Sequence, residues 1–213
     1  MKRDERVILV HGLWFGAWAM GRLAGRLCAA NFVPLRFRYA THSANLCGHA
    51  RRLNEFCLKR RGEGLHFVAH SLGGLVVLSM LSRFASLPPG RVVLLGSPLA
   101  GSAVARKVGK IRLSRGLFGR IGPSLEAGYA DFPDGWEVGM IAGSRGIGLG
   151  LLVGGAGGPN DGTVAVAETQ NRQLRDHLVL PVTHTGMLYS REVARQIVLF
   201  LSSGRFKNPG RSI

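Results

Sequence analysis

Residues 65–78 read LHFVAHSLGGLVVL, and this stretch decides the fold. The apolar run 65–69 predicts a buried strand, residues 70–74 a sharp turn, and the apolar run 75–84 a helix. Ser71 therefore stands where a strand turns into a helix. Units of this kind build parallel sheets with helices on their faces.

The same alternation continues on both sides of this stretch, as expected for βαβ units. Further strands are predicted at residues 7–10, 33–39, 91–95, 137–141 and 177–180, and further helices at 17–30, 44–61 and 191–201. The chain of 213 residues has neither a repeat nor a composition break. It therefore predicts one α/β domain over residues 1–213, with a mainly parallel central sheet flanked by helices. Residues 99–136 lack a clean period and are interpreted as a small cap or an excursion over the sheet edge, and residues 205–213 as a basic tail.

Ser71 is the candidate nucleophile. It lies in Ala69-His70-Ser71-Leu72-Gly73, a G-x-S-x-G-like pentapeptide with alanine in the first position. A serine held in a strained strand-to-helix turn needs small residues two positions before and after it. The helix that follows directs its partial positive charge at the serine. A helix N-cap is the alternative interpretation, but it leaves the small residues unexplained.

His184 and Asp161 are the candidate base and acid. His184 lies in PVTHTG, between a predicted strand and the last helix, and Asp161 lies in the loop sequence GPNDGT. The resulting order along the chain is serine, aspartate, histidine. In these roles His184 accepts the serine proton and Asp161 fixes the imidazole tautomer. Asp134 and Glu137 are the alternative acids, and the turn-forming sequence around Asp161 gives it a purely structural alternative.

Two backbone N–H groups are candidates for an oxyanion hole, those of Leu72 and Leu13. Leu13 lies in the loop HGLWFG after the first strand. The same loop carries Trp14 and Phe15, which are expected to form an apolar wall for an acyl group.

The other histidines need no catalytic role. His66 and His70 are interpreted as packing or polar contacts, and His11 as a residue that shapes the loop after the first strand. Surface or boundary positions are expected for His42, His49 and His177.

Neither a cofactor nor a metal is predicted. The glycines at residues 154–158 are not followed by Gly-Lys-Ser/Thr, and the cysteines and histidines lack metal-ligand spacing. Three cysteines, Cys28, Cys47 and Cys57, are expected to be reduced thiols. With neither a leader before the first strand nor a membrane span, a cytoplasmic protein is expected.

The charge is strongly basic, with 28 Lys+Arg against 12 Asp+Glu and a formal net charge of +16. No acidic residue occurs between Gly64 and Leu125. The basic residues of this segment alternate with apolar ones and favour peripheral contact with an anionic membrane. Nonspecific nucleic-acid binding and a merely solvated face are the alternatives. No nucleic-acid motif is present, so no specific nucleic acid is expected, and the oligomeric state stays open. The basic residues in question are Arg106, Lys107, Lys110, Arg112, Arg115 and Arg120.

Taken together, these motifs resemble the α/β-hydrolase superfamily, and within it the small bacterial lipases and the inositol-deacylase-like serine esterases. The resemblance spans residues 6–201 and rests on VILVHG at 7–12, AHSLGG at 69–74, GSPLAGS at 96–102, NDGTV at 160–164 and His184. It implies a serine esterase acting on a small-molecule or lipid-like carboxylic ester through an acyl-enzyme on Ser71. Thioester hydrolysis, acyl transfer and a non-catalytic basic membrane- or nucleic-acid-binding protein are the alternatives.

Overall fold

A single parallel sheet forms the centre of the molecule. The computed structural model describes residues 5–60, 64–84, 87–110, 118–147 and 158–207. Within these residues the sheet has six strands in the order β2-β1-β3-β4-β5-β6, and every neighbouring pair is parallel. The strands are Arg6–Val10 (β1), Val33–Phe37 (β2), Leu65–His70 (β3), Arg91–Leu95 (β4), Glu137–Gly143 (β5) and Asp176–Leu180 (β6).

Helices cover both faces of this sheet. They are Gly21–Ala29 (α1), Leu46–Leu58 (α2), Leu72–Arg83 (α3), Ala103–Lys110 (α4), Gly122–Ala127 (α5) and Arg191–Ser203 (α6), and a short 3-10 helix, Ala17–Met20, precedes α1. Apolar side chains of α2 to α5 share one core cluster, and those of α1 and α6 share the other. The predicted α/β fold with a parallel sheet between helices is confirmed. Within the described residues, no helix is both long and apolar enough to cross a membrane.

The central strands contribute to both cores because their side chains alternate between the faces. On β1, Ile8 and Val10 pack toward α2 and α3, while Val7 and Leu9 pack toward α1 and α6. A strand buried on both faces reads as a continuous apolar run, which is why this sheet is visible in the sequence.

Helix α3 begins three residues earlier than predicted. The turn after β3 is made by Ser71 alone, and Gly73 and Gly74 are already helical. Every residue from Leu72 to Leu81 is buried, so α3 lies in the core on all sides.

Two helices, α4 and α5, lie in the segment 99–136 that was interpreted as a cap or an excursion. Residues 111–117, with the basic positions 112 and 115, lie outside the described residues, as do residues 148–157 of the glycine-rich loop. Arg106, Lys107 and Arg120 are exposed.

The expected surface position of His49 is wrong. His49 is fully buried, its Nε2 lies 3.1 Å from the Thr41 carbonyl oxygen, and its ring packs edge-on against Tyr39. It belongs to the buried face of α2, four residues before Leu53 and eight before Cys57. The three cysteines form no disulfide.

Candidate active site

Ser71 lies at the carboxyl end of β3 in a conformation that few residues adopt. Its φ is 55° and its ψ is −122°. A positive φ at a residue with a side chain costs roughly 1–3 kcal/mol and persists only where the surroundings hold it in place. Here the Ser71 N–H donates to the carbonyl oxygen of Leu95 over 2.9 Å, which fixes the turn to the neighbouring strand β4.

Glycines allow the close approaches around this turn. A Cβ on Gly73 would lie 2.6 Å from the Val10 carbonyl oxygen and 2.8 Å from that of His11. A Cβ on Gly12 would lie 3.0 Å from the Cβ of Ser71. The loop after β1 is therefore pressed directly against the serine and the first turn of α3.

Asp161 and His184 form a buried pair. The Nδ1–H of His184 donates to Asp161 Oδ2 over 2.6 Å. The other carboxylate oxygen accepts the N–H groups of Thr163 at 2.9 Å and Val164 at 2.7 Å. The His184 N–H in turn donates to the Asp161 carbonyl oxygen over 2.8 Å. Because Nδ1 carries the proton, Nε2 of the neutral imidazole is the proton acceptor.

The pair lies at the same edge of the sheet as Ser71. Gly96, directly after β4, has a φ of +57°, and a Cβ there would lie 2.9 Å from Asp161 Oδ2 and 3.2 Å from His184 Nδ1. The parallel strands thus bring all three predicted residues to one edge. The alternative acids do not join them. Glu137 begins β5 at the opposite edge and forms an ion pair with Arg91 at 2.7 Å, and Asp134 is exposed just before it.

His70 packs against His184 of the Asp161–His184 pair. Its ring lies 4.6 Å from that of His184, and its Nε2–H donates to the His184 carbonyl oxygen over 3.0 Å. Complete burial, followed by the neighbouring His184, holds the pKa of His70 well below its usual value. His70 is therefore a neutral donor that orients the backbone of His184, one of the polar contacts expected for it.

The site opens into an apolar cavity of about 370 Å³. Ser71, His184 and the predicted wall residues Trp14 and Phe15 line it, together with Leu13. Trp14 is 45% exposed and stacks on Phe118 with 5.6 Å between ring centroids. The remaining apolar wall, which the sequence analysis did not identify, comes largely from the segment 99–136 and includes Val104, Ala105, Val108, Phe118 and Leu125.

The two candidate oxyanion-hole amides belong to the residue after Ser71 and to the loop after β1. Leu72 is the first residue of α3, so its N–H has no acceptor within the helix. Leu13 belongs to the loop after β1 that is pressed against the serine.

A further buried carboxylate, Glu168, connects helix α4 of the cavity wall to the loop that carries Asp161. Its Oε1 accepts the N–H of Ala103, the first residue of α4, over 2.5 Å, and its Oε2 accepts the N–H of Ala165 over 2.9 Å. No local pattern in the sequence could have indicated the contact with Ala103, because 65 residues separate the two partners.

Comparison with known proteins agrees with this architecture. The model of the alpha/beta hydrolase family matches residues 7–196. Among curated proteins no sequence match is found.

Several solved structures share the fold at low sequence identity. A mature lipase from Bacillus licheniformis superimposes with a TM-score of 0.77 at 18% identity, covering 95% of this chain and 92% of that one. A metagenomic carboxyl esterase superimposes with a TM-score of 0.71 at 18% identity, covering 86% of this chain and 65% of that one. A phospholipase from Legionella pneumophila superimposes with a TM-score of 0.66 at 17% identity, covering 93% of this chain and 62% of that one. This chain thus spans less than two thirds of the last two proteins. With the family model matching nearly its whole length, the chain belongs to the alpha/beta hydrolase family.

Proposed function

We propose that the protein is a serine hydrolase that cleaves a carboxylic ester through an acyl-enzyme on Ser71. One observation carries the proposal: the buried Asp161–His184 pair, with Nε2 left as acceptor, shares an apolar cavity with a serine held at positive φ. A serine needs such a base to become a nucleophile, and the base needs an orienting acid.

The proposed reaction has two halves. In the first, Ser71 Oγ attacks the ester carbonyl carbon while His184 Nε2 accepts the serine proton. The N–H groups of Leu13 and Leu72 stabilise the oxyanion, and the alcohol leaves with the proton from His184. In the second half, His184 removes a proton from water, whose oxygen attacks the acyl carbon. The bond from that carbon to Ser71 Oγ then breaks, His184 returns the proton to Oγ, and the acid is released. Asp161 holds the imidazole orientation throughout and stabilises its charged form.

The cavity favours an acyl or lipid-like substrate. Its walls are mostly apolar, and about 370 Å³ lies near the lower end of typical ligand pockets, which suits a short or medium acyl chain. The lipase, esterase and phospholipase that share the fold bear names that agree with ester substrates. The exposed cations Arg106 and Lys107 on α4 and Arg120 support peripheral contact with an anionic membrane near the cavity.

The test is hydrolysis of p-nitrophenyl esters of increasing acyl length by the wild type and Ser71→Ala. Ser202→Ala, at an exposed serine near the end of α6, is the matched control. We expect turnover by the wild type and the control, and none by Ser71→Ala with an unchanged melting temperature. Equal activity of Ser71→Ala and the wild type would remove Ser71 as the nucleophile. Turnover of thioesters with the same acyl chains, compared with turnover of the esters, distinguishes a thioesterase from an esterase.

A further inference from the structure

A second concavity, of about 830 Å³, lies beside the active site at the same edge of the sheet. We call it the arginine groove. Its walls are the loop after β1 and the end of β2. Arg36, on β2, and Arg38, directly after it, both line the groove and are exposed. Phe37 points the other way, into the core beneath α2 and α3, while Tyr39 belongs to that core and also borders the groove.

Within the described residues, the guanidinium groups of Arg36 and Arg38 form no ion pair with a carboxylate. Among the described residues that line the groove, none is acidic. The arginine–carboxylate pairs in the described part of the chain involve other arginines, namely Arg91, Arg106, Arg175 and Arg195. Near the active site the described acids are Asp161 and Glu168, both buried and hydrogen-bonded. The groove therefore presents two uncompensated positive charges.

An exposed tryptophan completes the groove. Trp18 is 68% exposed, although an indole ring is normally buried more fully than this. Its ring contacts Phe15 edge-on, with 6.1 Å between centroids. An apolar surface beside two cations suits a ligand that has both an anionic group and a carbon skeleton.

The groove and the catalytic cavity share a wall. The loop after β1 turns Leu13, Trp14 and Phe15 toward the cavity, while Gly16 and Trp18 line the groove. Phe15 lies between the two, with its ring 6.0 Å from that of His70 and 6.1 Å from that of Trp18. A substrate with its acyl chain in the cavity thus has the groove within reach of its alcohol portion.

We propose that the arginine groove binds a phosphate group on the alcohol portion of the ester that Ser71 cleaves. The proposal rests on the proposed function and narrows its substrate class to acyl esters of phosphorylated alcohols. Phosphate is the fitting anion because guanidinium forks donate paired hydrogen bonds to its oxygens. The same phosphate is present in a soluble phosphoester and in a lipid headgroup.

The test compares 1-butyrylglycerol 3-phosphate with 1-butyrylglycerol, which carry the same ester and differ in the phosphate. In a pH-stat assay, the wild type is expected to have the higher kcat/KM on the phosphate ester. Arg36→Gln/Arg38→Gln should lower that kcat/KM about tenfold, mainly through KM, because charged hydrogen bonds made equally in ground and transition states are lost. Its kcat/KM on the neutral ester should stay within about twofold of the wild type.

The matched control is Arg83→Gln/Arg205→Gln, which removes the same charge at the ends of α3 and α6, at the opposite edge of the sheet. It should behave as the wild type on both esters. Equal losses in the groove and control variants would overturn the proposal, because they would indicate only the overall field of the basic protein. Equal losses on the phosphate and neutral esters would overturn it as well.

Binding to Ser71→Ala separates this proposal from the proposed function. Calorimetry should show tighter binding of the phosphate ester than of the neutral one, and loss of that preference when Arg36→Gln/Arg38→Gln is added. If the wild type hydrolyses neither ester, the esterase proposal has failed for this substrate class, and the calorimetric preference still decides whether the groove binds phosphate. Equal affinity for both esters would overturn the proposal that the arginine groove binds phosphate.

Two further measurements identify the source of the phosphate. Competitive inhibition by inorganic phosphate that is lost in the groove variant supports a soluble phosphoester. Hydrolysis of phosphatidic acid vesicles that is lost in the same variant supports a lipid headgroup. If the variant loses vesicle binding but retains full activity on the soluble phosphate ester, the arginines serve membrane docking and the substrate role is overturned.

Discussion

Asp161→Asn should separate the role of the carboxylate charge from the shape of the loop. Asparagine has nearly the same size, and its single oxygen is claimed by the N–H groups of Thr163 and Val164, which now bond Asp161 Oδ1 at 2.9 and 2.7 Å. The amide NH₂ must then face His184 Nδ1, which currently donates over 2.6 Å. Two donors cannot share one hydrogen bond, so Nδ1 becomes the acceptor and Nε2 carries the proton. His184 can then no longer accept a proton from Ser71.

The expected loss in kcat is about 10³- to 10⁴-fold, as for an acid whose removal leaves the wrong tautomer in place. Each factor of ten corresponds to about 1.4 kcal/mol, so the activation barrier rises by roughly 4–5.5 kcal/mol. The assay is p-nitrophenyl ester hydrolysis, with thermal unfolding to show that the fold is retained. Asp134→Asn, at an exposed acid outside the site, is the matched control and should leave kcat unchanged. If Asp161→Asn kept kcat within tenfold of the wild type, the tautomer argument would be refuted.

Four further predictions concern stability. Gly73→Ala should lower the free energy of unfolding by about 1–3 kcal/mol, because its Cβ meets backbone oxygens. Gly25→Ala, whose Cβ meets nothing within 4 Å inside a helix, should raise it by about 0.5–1 kcal/mol, and urea unfolding measures both. Glu168→Ala should cost about 1–3 kcal/mol by leaving the part-buried N–H of Ala103 and the buried N–H of Ala165 unpaired, and an unchanged urea midpoint would refute this. Burial lowers the pKa of His70 and of four other histidines, so below about pH 6.5 the unfolded chain binds protons that the folded chain excludes. The free energy of unfolding should therefore fall between pH 7.5 and 5.5, and a level profile in urea titrations would contradict the argument.

The sheet could be predicted from the sequence because its central strands are buried on both faces and therefore read as apolar runs. The turn at Ser71 could be placed because glycine and alanine are required where backbone and side chains approach closely. The burial of His49 could have been predicted from the helical spacing, because His49 lies on the same face of α2 as Leu53 and Cys57.

Helix α4 could not be predicted because its stabilising contact is remote. It has eight residues and no acid in its first turn, so local signals for its start are missing. Its first N–H is accepted by Glu168, far away in sequence. The predicted roles of Ser71, Asp161 and His184 stay predictions until activity is measured, although the structure brings the three residues together.

The contact between His70 and His184 has a consequence for how activity is gained during folding. Its hydrogen bond joins residues 114 positions apart, and the proposed nucleophile Ser71 and proposed base His184 come to the same cavity only after four neighbouring parallel strands have paired. Such long-range pairing is slow relative to helix formation. In a refolding experiment, helical circular dichroism should recover first, and esterase turnover should return only with the last cooperative step. A chain truncated before β6 would carry the proposed nucleophile Ser71 without the proposed base His184, so under the proposed function catalysis would require the strands from β3 to β6 to have assembled.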